Sequence, residues 1–354
     1  MEHVSYGIIG FGGIAENRIA AEGFEVRAGG EAEVGPAALV GCTDVNPDRA
    51  EAARALGLKW YESADDLLTD ESIEAVFIAT NNRTHAPLAE RAIRAGKHCL
   101  IEKPIATDLE SARRLQRLAA ENGVSIAVDH MMTENAYNIE ARRLIDQGTI
   151  GDVNDIVLHM EFSFGATPQE AATWRCADRA ELGGPIGDVA SHCFYIAEFL
   201  LRSPIRSLSC VYTPRTMDIA VENGALIQMT LENGVTGTVR VAFNQPRGGL
   251  AGTISNLGYE VYGAEGAIRS YGTMFQLSGL EGEPIRLRLE VDDGILPKEV
   301  EVHGTRSIYR AVIEAHAASI LSGRHLDAAD GVRNLELILA CHESATDGGN
   351  PIQV

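Results

Sequence analysis

No apolar run in this chain reaches the roughly 18 residues that a membrane-spanning helix needs; the longest are interrupted by Glu, His or Arg. Basic residues are in short supply: Lys and Arg total 30 against 50 Asp and Glu, a formal net charge of −20. A surface that acidic repels phosphate backbones, so no nucleic-acid partner is expected, although one small anion held at a local site is not excluded. The six cysteines (Cys42, Cys99, Cys176, Cys193, Cys210 and Cys341) are widely spaced, and none forms C-x-x-C. Scattered single thiols fit buried side chains in a reducing compartment. The N-terminus, Met1-Glu2-His3-Val4, lacks a basic region and an apolar signal segment; the expected location is the cytoplasm, with no membrane partner. A Pro-rich linker, a low-complexity tract and an internal repeat are also missing. No His/Cys/Asp/Glu set has zinc spacing, so no metal is expected.

A length of 354 residues corresponds to about two domains at roughly 150 residues each. With 45% hydrophobic and 23% charged residues, disorder and a coiled coil are poor readings. Short apolar runs at Tyr6–Ile9, Ala38–Cys42, Ala75–Ala79, His98–Ile101 and Val124–Val128 alternate with helical segments. Near-continuous apolar strands suit a parallel sheet buried on both faces. One helix is expected after Thr107, with Thr107 and Glu110 as a capping box and Gly123 at its end. Another is expected to carry Pro87 in its first turn and to end near Gly96. This alternation implies an α/β, doubly wound Rossmann domain over residues 1–128.

Beyond that point the pattern changes. A helix near Asn135–Gln147 precedes a half-buried strand in which Ile156, Leu158, Met160 and Phe162 face one way. Ala225–Thr230 and Val235–Phe243 flank Asn233-Gly234, a hairpin signal. More short strands reach about residue 302, and helices near Ser307–Leu321 and Ala329–Ala345 close the chain. Residues 129–354 are therefore expected to form an α+β domain with an open, mainly antiparallel sheet and helices on one face.

Gly10-Phe11-Gly12-Gly13-Ile14-Ala15 is G-x-G-x-x-A, directly after the first strand and opening a helix. The first Gly permits the tight turn, the second lets backbone approach a pyrophosphate, and the small Ala allows close helix–strand packing. The helix N-terminus then offers N–H groups to the anion. Asp44 follows the second strand, 34 residues after Gly10, where a spacing of roughly 20 is usual. An insertion over Ala21–Gly35 accounts for the difference. A carboxylate there accepts hydrogen bonds from the adenosine ribose and repels a 2′-phosphate. NAD is therefore expected over NADP, with Arg49, five residues on, partly offsetting this.

Two further elements carry chemistry. Glu102-Lys103-Pro104 follows the fourth strand at the carboxyl edge of the sheet, where ligands of open α/β folds bind. Gly183-Gly184-Pro185-Ile186-Gly187-Asp188-Val189-Ala190-Ser191-His192 places Asp188 and His192 four residues apart, on one helix face. Here the chain resembles the glucose-fructose oxidoreductase / inositol dehydrogenase family of NAD(P)-dependent sugar and polyol dehydrogenases. The matching residues are the Gly10 fingerprint, Thr80-Asn81-Asn82-Arg83-Thr84-His85, Glu102-Lys103-Pro104 and Gly183–His192. Asn81 stands where Pro is usual, and Pro185 where a third Gly is common.

The resemblance implies a hydride-transferring enzyme acting on a secondary hydroxyl, or the matching ketone, of a sugar or cyclitol. Lys103, Asp188 and His192 would be its catalytic group. Thr80, Asn82, His85, Glu102 and Lys103 would join Gly10, Phe11, Gly12, Gly13, Ile14 and Asp44 at the cofactor. An open sheet used in oligomer contacts is also implied, hence a homodimer or homotetramer. His192 suits proton transfer near neutral pH, and an ammonium at Lys103 suits a developing alkoxide. Trp174-Arg175 resembles the pair that meets the sugar in the 1,5-anhydro-fructose reductase branch, and His130 is a further candidate for the substrate. An NADPH-dependent ketosugar reductase and a non-catalytic dinucleotide-binding regulator are the competing readings.

Overall fold

The computed structural model of the chain describes residues 3–26, 33–245 and 257–354. The chain divides into two units: Met1–Met131 with Ser307–Leu335, and Met132–Arg306 with Glu336–Val354.

Among the described residues, the first unit holds seven strands: β1 (Val4–Ile9), β2 (Glu33–Val34), β3 (Ala37–Thr43), β4 (Lys59–Trp60), β5 (Ala75–Ile78), β6 (His98–Ile101) and β7 (Ile126–Val128). They lie in the order β2-β3-β1-β5-β6-β7, with β4 added on β3. Every pairing is parallel except the short β2 on β3. The five apolar runs of the sequence are thus β1, β3, β5, β6 and β7. Ile8, Phe77, Leu100 and Ile101 are fully buried, as strands covered on both faces must be. The chain moves outward from β1 to β3, then returns past β1 to lay down β5, β6 and β7. That reversal leaves a crevice beyond the carboxyl ends of β1 and β5, the usual ligand position in such sheets. Part of the Ala21–Gly35 insertion lies outside the described residues.

Two helix starts differ from expectation. The helix Asn82–Arg94 begins five residues before Pro87, which sits in its second turn. The helix Leu109–Asn122 is capped by Asp108, whose Oδ1 accepts from the Ser111 N–H at 2.7 Å, so Thr107 and Glu110 do not form the capping box. Asp108 is already extended (φ −147°, ψ 152°), which moves the cap one residue on. Its end at Gly123, left-handed at φ 65°, is as expected.

Residues 307–335 return to the first unit although they lie late in the sequence. The helix Ile308–Leu321 meets the first helix, Ala15–Gly23, so closely that a Cβ on Gly23 would stand 2.7 Å from Ile313 Cδ1. The Tyr6 hydroxyl bonds His316 Nδ1 at 2.9 Å, and the Ile126 N–H donates to the Leu326 carbonyl at 3.0 Å.

The second unit's strands are β8 (Val153–Glu161), β9 (Ile205–Tyr212), β10 (Gly224–Leu231), β11 (Thr236–Ala242), β12 (Leu257–Gly263), β13 (Ala267–Tyr271), β14 (Arg288–Asp292), β15 (Lys298–Glu299) and β16 (Ile352–Gln353). Their order is β15-β14-β13-β12-β8-β11-β10-β9-β16. Among the described residues all pairs are antiparallel except β11 on β8. The β10–β11 hairpin turns at Asn233-Gly234 as expected. Ile156, Leu158, Ile227 and Val239 are buried, whereas Leu226, Gln228, Thr238 and Arg240 are exposed, so the sheet has one covered face. All six cysteines are free and buried. Among the described residues no helix is long and apolar enough to cross a membrane.

Candidate active site

In the first unit, Gly10 begins the turn out of β1 at φ 93°, a left-handed conformation that L side chains rarely adopt. A Cβ there would also lie 2.6 Å from Thr80 Cγ2 and 2.8 Å from the Ala79 carbonyl oxygen. The loop is thereby pressed onto the end of β5. At Gly12 and Gly13 the opposite holds: a Cβ would meet nothing within 4 Å. Bare backbone therefore faces open space at the start of the helix Ala15–Gly23, which no side chain caps. Such a cradle fits the pyrophosphate of a dinucleotide. Phe11 is buried and anchors the loop, while Ile14 is exposed beside it.

Asp44 stands directly after β3, and its Oδ1 accepts from the Asn46 N–H at 2.8 Å. Arg49 opens the helix Arg49–Ala55. Its Nε–H donates to the Phe11 carbonyl at 2.7 Å, its Nη2 pairs with Glu16, and its guanidinium lies 5.8 Å from the centre of the Phe11 ring.

The other rim joins the ends of β5 and β6. His85 is fully buried between two carbonyl oxygens, that of Pro104 2.8 Å from Nδ1 and that of Thr80 3.1 Å from Nε2. Burial holds its pKa below the usual value, Lys103 adds to the effect, and the two carbonyls oppose it. His85 thus ties the Thr80–Asn82 turn to the Glu102-Lys103-Pro104 turn, whose Lys–Pro bond is cis. Asn82 is buried, and Lys103 is only 8% exposed. Asp129, immediately after β7, is fully buried. Burial first and the Glu102 carboxylate second push it well above the ordinary carboxylate range, with Lys103 pulling the other way. Sequence reasoning chose its neighbour His130. That ring is buried too, with Nδ1 2.8 Å from Asp330 Oδ2.

In the second unit, Gly184 takes φ 71°, and a Cβ on it would stand 2.6 Å from Glu222 Oε1. The same oxygen accepts from the Ile186 N–H at 2.9 Å. Pro185 then starts a wide turn of the i→i+5 kind, Pro185–Ala190, which runs into the buried helix Ser191–Leu201. Such turns recur at functional sites. Asp188 lies on this turn with one carboxylate oxygen 3.5 Å from Arg175 Nε, and the Arg175 guanidinium covers the Trp174 ring at 4.4 Å. Trp174, Arg175 and Asp188 are therefore brought together. His192 is 1% exposed. Its Nδ1 lies 2.6 Å from the Tyr195 hydroxyl and its Nε2 3.4 Å from Gln276 Nε2. Gln276 itself holds φ 52°, a rarely adopted conformation for a non-glycine residue.

Glu222, Tyr195, Gln276 and Asp129 were not singled out from the sequence. Tyr195 was accessible, three residues after His192 on a helix; the others are joined to their partners only by the fold. The candidate residues divide between the units: the cradle, Asp44, His85, Lys103 and His130 in the first, and Trp174, Arg175, Asp188 and His192 in the second.

Residues 4–130 match the model of an oxidoreductase family with an NAD-binding Rossmann fold, and residues 139–269 match the GFO/IDH/MocA C-terminal domain. The dTDP-3,4-didehydro-2,6-dideoxy-alpha-D-glucose 3-reductase of Streptomyces violaceoruber is 30% identical over 305 residues, 83% of each chain. The 1,5-anhydro-D-fructose reductase of Ensifer adhaerens is 28% identical over 299 residues, 82% of this chain and 83% of its own. The crystal structure of aldose-aldose oxidoreductase from Caulobacter crescentus, complexed with glycerol, has the same fold, with a TM-score of 0.84 at 22% identity over 100% of both chains.

Proposed function

The chain belongs to the GFO/IDH/MocA family of oxidoreductases with an NAD-binding Rossmann domain, and from that premise we propose that it transfers a hydride between a nicotinamide dinucleotide and a secondary hydroxyl, or the matching ketone, of a sugar, sugar derivative or cyclitol. The observation that carries this reading is the unobstructed backbone of Gly12 and Gly13 at the sheet's switch point. The substrate class rests on the two curated relatives, both named as reductases of sugar derivatives.

When bound, the nicotinamide supplies the hydride acceptor or donor. Gly10, Phe11, Gly12, Gly13 and Ile14 hold the pyrophosphate, Asp44 holds the adenosine ribose, and Thr80, Asn82, His85 and Glu102 complete the cofactor surface. His192 takes the hydroxyl proton on Nε2, the nitrogen not turned to Tyr195. Lys103 supplies an ammonium that offsets negative charge developing in the reaction. Asp188 orients the substrate. The Trp174 face and the Arg175 donors meet the sugar, with His130 as a further contact. In the reverse direction His192 returns the proton. Asp44 makes NAD the preferred cofactor.

In this reading residues 1–128 serve the dinucleotide, and residues 129–354 serve the substrate and self-association. The exposed Val211 and Leu226, paired on the open face of the second sheet, suit contacts in a homodimer or homotetramer. Six buried free thiols suit the cytoplasm. A second reading, an NADPH-dependent ketosugar reductase, is favoured by the stacked Trp174–Arg175 pair and opposed by Asp44.

Initial rates with NAD and NADP over a panel of sugars and cyclitols, and with the reduced cofactors over ketosugars, test the proposal. Turnover with NAD supports it, and a strong NADPH preference favours the second reading. Dinucleotide binding without turnover across both panels supports the regulator instead. Lys103→Ala and His192→Ala are each expected to lose activity while still binding NAD, and parent-like turnover in either would remove that residue from the mechanism.

A further inference from the structure

Arg49 is the cation that Asp44's neighbourhood offers to a 2′-phosphate, yet it is already engaged. One side of its fork is spent on the Phe11 carbonyl (2.7 Å) and the Glu16 carboxylate, over the Phe11 ring. Side-chain exposure is 28% for Arg49 and 31% for Glu16, so the pair sits half-buried at the lip of the glycine-rich loop. The two charges of the ribose side share one environment. Burial, then Asp44, pushes the Cys42 thiol up to about 12, and Arg49 opposes this.

Glu16 is of a type that suits a helix start. It lies in the first turn of the helix whose N-terminus faces the pyrophosphate in the reading above, where an added negative charge is unfavourable to a phosphate. Its pairing with Arg49 neutralises that charge and at the same time draws the guanidinium toward the loop.

We propose that Glu16 sets the choice between the two dinucleotides, by holding Arg49 on the glycine-rich loop and so withholding it from the ribose 2′ position. This rests on the first unit being the dinucleotide site. Exclusion of NADP then has two layers. Asp44 repels the phosphate directly, and Glu16 removes the cation that would otherwise accept it. Replacing Asp44 alone leaves the second layer in place.

The test is equilibrium binding of NADH and NADPH to the full-length protein, followed by nicotinamide fluorescence and by calorimetry, with Glu16→Gln and Glu16→Ala compared with the parent. The readout is the ratio of the two dissociation constants, in which any change at the shared pyrophosphate cancels. Both variants are expected to shift the ratio toward NADPH by about ten-fold, the worth of one charge-assisted hydrogen bond. Adding Arg49→Leu to Glu16→Gln should abolish the shift. An unchanged ratio in two folded variants that still bind NADH overturns the proposal, as does a shift that survives the loss of Arg49. A parent that binds neither dinucleotide overturns the reading of the first unit itself, and the proposal with it.

Discussion

His192 Nδ1 and the Tyr195 hydroxyl oxygen lie 2.6 Å apart on the same buried helix, three residues apart in sequence. The contact fixes which ring nitrogen faces away, toward Gln276. Removing the ring, His192→Ala, is expected to cut turnover by roughly 10²–10⁴-fold, the usual worth of a positioned acid–base group. Tyr195→Phe keeps the ring but releases its orientation. It should cost about ten-fold in kcat, a part of that acid–base contribution, and alter the pH dependence of kcat while leaving NAD affinity in place. A Phe variant with the parent's kcat and pH profile would make Tyr195 a packing residue only.

Glu222 holds the start of the turn that carries Asp188. Glu222→Gln keeps an acceptor for the Ile186 N–H and should fold with little loss. Glu222→Leu leaves that buried N–H without its partner and should cost about 1–3 kcal/mol in unfolding free energy. Denaturant titration of the two variants checks this; equal stabilities would show that the hydrogen bond contributes little.

Trp174 supports Arg175, and Arg175 reaches Asp188. Trp174→Ala should therefore raise the substrate KM several-fold, since an exposed cation–π contact is worth about 0.5–1 kcal/mol and a face for the sugar is lost as well. The NAD KM should stay near the parent's. Reduced thermal stability with an unchanged substrate KM would show that Trp174 serves packing alone.

Acid should destabilise the first unit through His316. Burial first, and His98 second, hold its pKa at about 3, against an ordinary 6.5. The unfolded chain takes up the proton first. The stability contributed by the neutral ring is thus fully present above about pH 6.5 and declines as the pH falls toward 3, by up to about 1.4 kcal/mol per pH unit. His316→Asn retains a hydrogen-bonding group for Tyr6 but does not titrate. Unfolding midpoints measured from pH 7 to pH 5 should fall less steeply in this variant than in the parent, and parallel slopes would exclude His316 as the source.

The first sheet was legible because strands buried on both faces must be apolar at nearly every position, and β1, β3, β5, β6 and β7 are. The β10–β11 hairpin was legible because Asn233-Gly234 suits its turn. Helix starts were less so. Pro87 is tolerated one turn inside its helix, and Asp108 and Thr107 are equally good caps on paper. The parallel β8–β11 pairing joins strands some eighty positions apart, beyond any local pattern. Of the site, the glycine-rich loop, the Lys103 turn and the Asp188–His192 stretch stood out because they are contiguous motifs. Glu222 reaches Ile186 across 36 positions, and Gln276 reaches His192 across 84. No spacing in the sequence records such meetings.

The late return of residues 307–335 to the first unit bears on how this gene can be recombined. A fragment ending at Met131 would keep β1 through β7 but lose the His316 ring that bonds Tyr6 and the Ile313 side chain seated on Gly23. Exchanging dinucleotide specificity between relatives by a single crossover would leave a chimera with mismatched surfaces on the first helix and the first strand. Two junctions are needed, one near residue 131 and one near 306, with the tail from 307 to 335 taken from the same parent as the N-terminal segment.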